Sequence, residues 1–219
     1  MYSEPLSLDD ACHALRHGKL VIFPTETFYG IGCNAMDPDA VGSIFSAKHR
    51  ALSLPLPVVV YGREQLAEFV SVVSETASRL MDVFWPGPLS LVLPALDEVP
   101  DLLTANAGRV AVRCSPHPAV IALCETSGLV LVASSANISG NPPVSRAEEL
   151  EPELVASAAG IFVAGPSPEG DLPSTVVDIQ EGRDGSIVRI LRKGAVTEEQ
   201  LREAGFMVDD CSTNPELLC

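Results

Sequence analysis

No stretch of this sequence is long and apolar enough to cross a bilayer. Aliphatic runs such as Val58-Val59-Val60 and Leu129-Val130-Leu131-Val132 span only a few residues, so membrane-spanning helices are excluded. The opening Met1-Tyr2-Ser3-Glu4 has neither a basic n-region nor an apolar h-region, so no secretory leader is expected and the expected location is cytoplasmic. The six cysteines include no C-x-x-C pair, which argues against a zinc site and against a compact disulfide framework. Cys12, Cys33, Cys114 and Cys124 read as reduced structural thiols, while Cys211 and Cys219 stand in a polar tail and could pair in an oxidising compartment. There is no G-x-S-x-G elbow, no H-E-x-x-H helix and no G-x-x-x-x-G-K-[ST] loop. If ATP binds, another architecture must hold it. His13 and His17 are spaced i, i+4 but have no third ligand, so they read as a solvated helix face and no protein metal site is expected.

Positive charge is scarce too: 14 basic residues face 29 acidic ones, for a net charge of −15. A broad electrostatic grip on nucleic acid needs many Lys and Arg contacts to phosphate, so this balance counts against direct tRNA or other RNA binding. Six of the cations, Lys48, Arg50, Arg109, Arg113, Arg192 and Lys193, fall in or beside distinctive segments. Acidic residues crowd Glu148 to Glu153 and the C-terminus. The distribution suggests a local basic pocket on an acidic body.

Element signals alternate along the chain. Ser7 or Asp9 can cap a helix with Leu8, Ala11, Cys12 and Leu15 on its inner face, ended by Gly18. Leu20 to Phe23 reads as a buried strand interrupted by Pro24, which sends Thr25-Glu26-Thr27 out of the sheet. Asp37-Pro38 opens a helix ending near Lys48. Strands are expected at 57–61, 89–93, 110–113, 129–133, 161–164, 175–179 and 187–191. Further helices are expected within 64–83, from Ser115-Pro116 to Gly128, at the apparent capping box Ser145-Arg146-Ala147-Glu148, and at Thr197-Glu198-Glu199-Gln200. This order implies an α/β fold with one twisted mixed sheet covered by helices on both faces. A single domain is expected over residues 1–206, followed by a tail, 207–219, that frays.

Gly30-Ile31-Gly32-Cys33-Asn34-Ala35 has the letters of a dinucleotide fingerprint, but no helix opens directly after it and no acidic residue stands about twenty positions on. These glycines therefore read as a strand packed closely against a neighbour or a ligand. Lys48 and Arg50 flank His49 and would form a phosphate pincer if the segment were extended. Ser134, Ser135, Asn137 and Ser139 follow a strand, where α/β proteins commonly bind ligands.

In order, Pro24-Thr25-Glu26-Thr27-Phe28-Tyr29-Gly30-Ile31-Gly32, Lys48-His49-Arg50, Trp85-Pro86-Gly87-Pro88-Leu89-Ser90, Val110-Ala111-Val112-Arg113, Ser135-Ala136-Asn137-Ile138-Ser139-Gly140, Ser174-Thr175-Val176-Val177-Asp178 and Leu191-Arg192-Lys193-Gly194 resemble the YrdC/TsaC family of threonylcarbamoyl-adenylate synthases. The similarity runs from about Leu20 to Gly194 and looks like the short, single-domain form. The resemblance implies that L-threonine, bicarbonate and ATP yield threonylcarbamoyl-adenylate and pyrophosphate. The product would pass to a downstream transferase complex that modifies tRNA. A non-catalytic nucleotide- or RNA-binding relative and a carbamoyl-adenylate module like those of hydrogenase maturation are the alternative readings.

By motif position, the resemblance implies that Thr27, Arg113, Ala133 and Ser174 hold threonine, with Arg113 on its carboxylate. It places Lys48, Arg50, Ser135, Asn137 and Arg192 at the nucleotide, Lys48 and Arg50 being catalytic, and Mg²⁺ on ATP rather than in a protein cage. Ala51, Leu54 and Val59 depart from many relatives, which carry Pro, Asn and a threonine-binding His there.

Overall fold

The computed structural model describes residues 5–182 and 185–210. In chain order the elements are α1 (Leu8–Arg16), β1 (Val21–Pro24), β2 (Tyr29–Gly32), α2 (Pro38–Lys48), β3 (Val58–Val60), α3 (Glu75–Phe84), β4 (Leu89–Pro94), α4 (Asp101–Thr104), β5 (Arg109–Cys114), α5 (Pro118–Ser127), β6 (Leu131–Val132), β7 (Ser134–Ser135), α6 (Pro152–Ser157), β8 (Thr175–Gly182), β9 (Gly185–Arg192), α7 (Glu198–Glu203) and β10 (Met207–Asp210). Single 3-10 segments lie at Arg63–Glu68 and Ala147–Glu149. Local chemistry explains several boundaries. Ser7 Oγ accepts the Asp10 amide at α1, Asp37 accepts two amides at α2, and Thr197 with Gln200 forms a reciprocal capping box at α7.

The strands form two sheets instead of the single sheet expected. A small antiparallel sheet runs β1-β2-β7, and a seven-stranded mixed sheet runs β10-β9-β8-β4-β5-β3-β6. The predicted strand 129–133 is where they part: β6 pairs with β3, β7 pairs with β2, and the chain crosses from one sheet to the other at Ala133. Alternation along β3 sends Val58 and Val60 into one apolar cluster with α2 and α3, and Val59 into another with α1 and α5. Helices therefore do cover both faces, as the fully apolar strands predicted.

As expected, the strand stops at Pro24 and Thr25-Glu26-Thr27 leave the sheet; Pro24 stands opposite Tyr29 on an edge strand of the small sheet, where its missing N–H costs no ladder bond. Some other expectations are corrected. Residues 161–164 form only isolated bridges, to Ile22 and Leu6, not a strand. The Ser145–Glu148 box does not form, because Arg146 takes Glu149 and only a 3-10 turn results. The helix expected from Ser115-Pro116 starts at Pro118, capped by the His117 ring, whose Nδ1 accepts the Ala119 amide at 3.2 Å. Met207–Asp210, expected to belong to a frayed tail, instead pairs parallel to β9. Residues 211–219, with Cys211 and Cys219, lie outside the described residues. Burial raises all four described thiols above the ordinary range, which suits structural roles.

The two sheets touch at Gly32. A Cβ there would stand 2.1 Å from the Val132 carbonyl oxygen and 2.8 Å from the Phe23 ring, whereas one at Gly30 meets nothing closer than 3.5 Å. Gly32→Ala should therefore cost at least about 2 kcal/mol by overpacking a seam that is backbone on one side. Gly30→Ala should cost less than about 1 kcal/mol. Chemical denaturation of the two variants checks the contrast; equal losses would count against this seam.

Candidate functional site

Where the sheets separate, a cavity of about 440 Å³ opens between the β1–β2 hairpin, the end of α2, β3, β5, the 133–141 segment and β9. The structure brings all nine residues singled out from the sequence to its wall: Thr27, Lys48, Arg50, Arg113, Ala133, Ser135, Asn137, Ser174 and Arg192. Its cations fall into two groups.

Lys48 anchors the first. It ends α2 and is only 2% exposed, and its ammonium donates to the carbonyls of Ser135 and Asn137, the latter at 2.6 Å. The Ser139 amide in turn donates to the Lys48 carbonyl at 2.8 Å. Burial, and secondarily the Arg50 charge, lower the Lys48 ammonium to about 8, against a smaller upward pull from Glu151. Lys48-His49-Arg50 is not extended as expected. His49 adopts the left-handed conformation, φ 50°, and the Arg50 amide folds back to the Phe45 carbonyl at 2.9 Å. That reversal brings Arg50 to the cavity beside Lys48; its Nη2 donates to the Pro55 carbonyl at 3.0 Å. Beneath Lys48, Asn137 Nδ2 donates to the carbonyls of Ile138 and Asn141, at 3.0 and 2.7 Å, and its buried Oδ1 accepts from no described residue.

Arg113, on β5 and 7% exposed, anchors the second group. Arg192 reaches it from β9, donating to the Ser174 carbonyl at 2.9 Å and to its hydroxyl at 3.0 Å, while Ser174 Oγ meets Ser90 Oγ at 3.1 Å. Burial and the neighbouring Arg192 press the Arg113 guanidinium down to about 10, which leaves it charged at neutral pH. Arg192, which the resemblance assigned to the nucleotide, thus stands with Arg113 and Ser174. Arg109 and Lys193 do not join the expected basic pocket. Arg109 lies on the same strand face as Arg113 but about 13 Å away at 3.3 Å per residue, and it pairs with Asp178. Lys193 lines a separate groove beside α7.

Glu26 is the residue that sequence reasoning passed over. Its carboxylate pairs with Arg113 through Oε1 and accepts the Ser115 hydroxyl at 2.6 Å through Oε2, and it does not line the cavity. It therefore holds Arg113 from behind. Its signal was its place between Thr25 and Thr27 at the tip of a hairpin, but nothing in the chain tells which strand that tip faces. The tip itself is fixed. Thr25 Oγ1 donates to the Phe28 carbonyl at 2.8 Å and accepts the Thr27 and Phe28 amides. The Glu169 and Gly170 amides close onto the Glu26 and Thr27 carbonyls at 3.2 and 2.8 Å. Ser90 and Asn141 also line the cavity without having been predicted, as do Leu54 and Val59, which supply apolar wall.

Comparison with known proteins adds a separate line of observation. The family model Sua5/YciO/YrdC, described as "Telomere recombination", matches residues 13–194. The chain is 40% identical over 192 residues to the threonylcarbamoyl-AMP synthase of Bacillus subtilis, covering 87% of this chain and 54% of that one. It is 36% identical over 187 residues to the synthase of the same name from Xylella fastidiosa, covering 84% of this chain and 98% of that one. It thus spans about half the length of the Bacillus relative and nearly all of the Xylella one. Among solved structures, Pyrococcus abyssi Sua5 complexed with L-threonine matches with a TM-score of 0.84 and 34% identity, covering 95% of this chain and 61% of that chain. Escherichia coli YciO matches with a TM-score of 0.73 and 25% identity, covering 87% and 91%.

Removing Glu26 strands a buried guanidinium that already faces a second cation. Glu26→Ala should lower stability by about 3 kcal/mol, as for a buried pair that loses one partner. Glu26→Gln, which keeps an acceptor for Arg113, should lose less. Urea titration measures both, and an Ala variant as stable as the parent would show that the pair does not hold Arg113.

Proposed function

Since the chain belongs to the Sua5/YciO/YrdC family, we propose that it joins L-threonine, bicarbonate and ATP into threonylcarbamoyl-adenylate and pyrophosphate. The observation that carries this reading is one cavity holding two cation pairs, Arg113 with Arg192 and Lys48 with Arg50, in a protein of net charge −15. No acidic residue is among those lining it. Such a hollow suits two anions that must be brought together against their mutual repulsion.

The chemistry asks little covalent work of the protein. The threonine amine and bicarbonate form a carbamate with loss of water. A carbamate oxygen then attacks the α-phosphorus of ATP, the bond to the β-phosphate oxygen breaks, and pyrophosphate leaves. Arg113 takes the threonine carboxylate, with Thr27, Ala133 and Ser174 around it. Arg192, held by Ser174 beside Arg113, would answer the charge that the attack develops on the phosphate. Lys48 has spent two of its three N–H donors on backbone carbonyls, so one remains for a phosphate oxygen. Arg50, Ser135 and Asn137 complete the nucleotide half, where the unpartnered Asn137 Oδ1 calls for a donor.

Mg²⁺ fits this cavity as a companion of the triphosphate, because the lining offers it no carboxylate and Mg²⁺ readily takes phosphate oxygens and water. The product is an activated intermediate for threonylcarbamoyl-adenosine in tRNA, so a tRNA-modifying transferase complex is the downstream partner and the cytoplasm the place of action. Among the described residues no helix is long and apolar enough to cross a membrane.

Purified protein incubated with the three substrates should yield threonylcarbamoyl-adenylate by mass spectrometry, with pyrophosphate release that requires both threonine and bicarbonate. Threonine-independent release would defeat the reading. Arg113→Ala should raise the KM for threonine by at least about tenfold and that for ATP by less than about threefold, since a lost charge-assisted pair acts locally.

The Lys48 ammonium sets a pH dependence. Its folded value of about 8 lies below its ordinary 10.5. Phosphate binding through the charged form should therefore fall as pH rises through 8, giving kcat/KM for ATP an alkaline limb there. Stability moves oppositely. Between about 8 and 10.5 the unfolded chain binds the proton more, so this group's contribution to stability rises with pH. Lys48→Met should abolish the limb along with most activity.

A further inference from the structure

The acidic run Glu148 to Glu153 has so far been only part of the body's negative charge. One of its members is spent on the site. Glu151 occupies the N-cap position of α6, where a carboxylate would ordinarily serve its own helix, yet it makes no such cap. Instead its Oε2 accepts the Ile138 amide at 2.6 Å and its Oε1 accepts Asn141 Nδ2. Both donors belong to the loop whose carbonyls hold Lys48, and Asn141 itself lines the cavity. Glu151 does not line it.

We propose that Glu151 is a positioning residue for the nucleotide half of the site, pinning the 137–141 loop from outside the cavity through the Ile138 amide and the Asn141 side chain. This rests on the reading that Lys48, Arg50 and that loop receive ATP. Apart from the Lys48 ammonium on the Ser135 and Asn137 carbonyls, the loop is otherwise tied through backbone and amide groups. The Ala136 amide bonds to the Tyr29 carbonyl at 2.8 Å, the Ser139 amide bonds to Lys48, and Asn137 spans to Asn141. Lys48 holds the loop by its carbonyls, and Glu151 adds the one anionic anchor among the described contacts, taking N–H donors of the loop at two points three residues apart.

The ionisable surroundings of Lys48 are few. Residues 134–141 carry no ionisable side chain. Arg50, next along the chain, pushes the Lys48 ammonium down, and Glu151, from the segment before α6, pulls it up. Tyr29 on β2 stays a neutral phenol, raised by burial and by Glu148. His49 points away, paired with Glu153 at 3.0 Å on the surface. Removing the Glu151 charge therefore removes the one upward pull.

The test compares the full chain with Glu151→Gln and Glu151→Asp. In Glu151→Gln the KM for ATP should rise about tenfold, the size of one lost charge-assisted contact, while the KM for threonine changes less than about twofold. The alkaline limb of kcat/KM for ATP should move to lower pH. Glu151→Asp keeps the charge and should restore the limb while leaving part of the KM defect. An unmoved limb with an unmoved KM for ATP would overturn the assignment, and so would equal rises in both KM values, which mark general loosening. Amide exchange at Ile138 reads the anchor without turnover. It should accelerate by at least about tenfold in Glu151→Gln, and unchanged protection would overturn the assignment whether or not the wild-type chain makes the adenylate. If the wild-type protein makes no adenylate while Glu151→Gln still exchanges faster than wild type at Ile138, the result counts against the proposed reaction and not against the anchor. Should Glu151→Gln fail to fold, Glu151→Asp carries the test through its KM split and its exchange at Ile138.

Discussion

A buried ammonium shapes this site. Lys48 could have pointed into solvent from the last turn of α2; instead it lies at 2% exposure with its charge on two carbonyls of a loop nearly ninety residues later. Taking that charge out of water is costly, and the carbonyls recover only part of the cost, which is why the group is held near 8. In return, the end of one helix and the segment where the chain changes sheets become a single rigid unit. A polyanion entering the cavity would supply the remaining compensation. The cations of the cavity are thus only partly compensated by the protein's own groups, and the ligand best suited to them is the one that finishes the pairing.

Arg113 repeats the arrangement with a different device. It too is buried, and it faces the like charge of Arg192, but its partner is a full carboxylate from a hairpin tip. Each half of the cavity therefore keeps its cation in place through a fixed partner: wall carbonyls for Lys48, and a carboxylate behind the wall for Arg113. This division explains how a chain with twice as many acidic as basic residues can present a hollow whose lining holds no acid. The acids lie outside, some of them as supports.

Much of this was legible in the chain because the relevant signals are local. Asp37-Pro38 marks a helix start wherever it stands, the apolar 129–133 run demands burial, and Gly32 announces close approach, whereas Gly30 has ordinary room. The convergence of the nine site residues was expected from the ordered motifs. What escaped was long-range pairing. Glu26 and Glu151 looked like any other carboxylates, since their meaning comes from a strand and a loop far away in sequence. The division of the sheet was also hidden, because β6 and β7 are two residues each and the break between them is one alanine. The false capping box at Ser145 shows the converse: correct letters yielded to a neighbouring Arg146–Glu149 pair.

The stretch from Gly165 to Pro173 looks from its exposure like a dispensable surface loop. It begins against Pro118, is tied through the Pro166 carbonyl to the His117 ring at 2.9 Å, closes onto the hairpin tip through Glu169 and Gly170, and delivers Ser174 to the cavity. One span of chain therefore acts as the tie-rod between Thr27 and Ser174, and its length is a shared dimension of both. Adding or deleting a residue there would shift two walls at once, so this outer segment is under the same geometric discipline as the core it crosses.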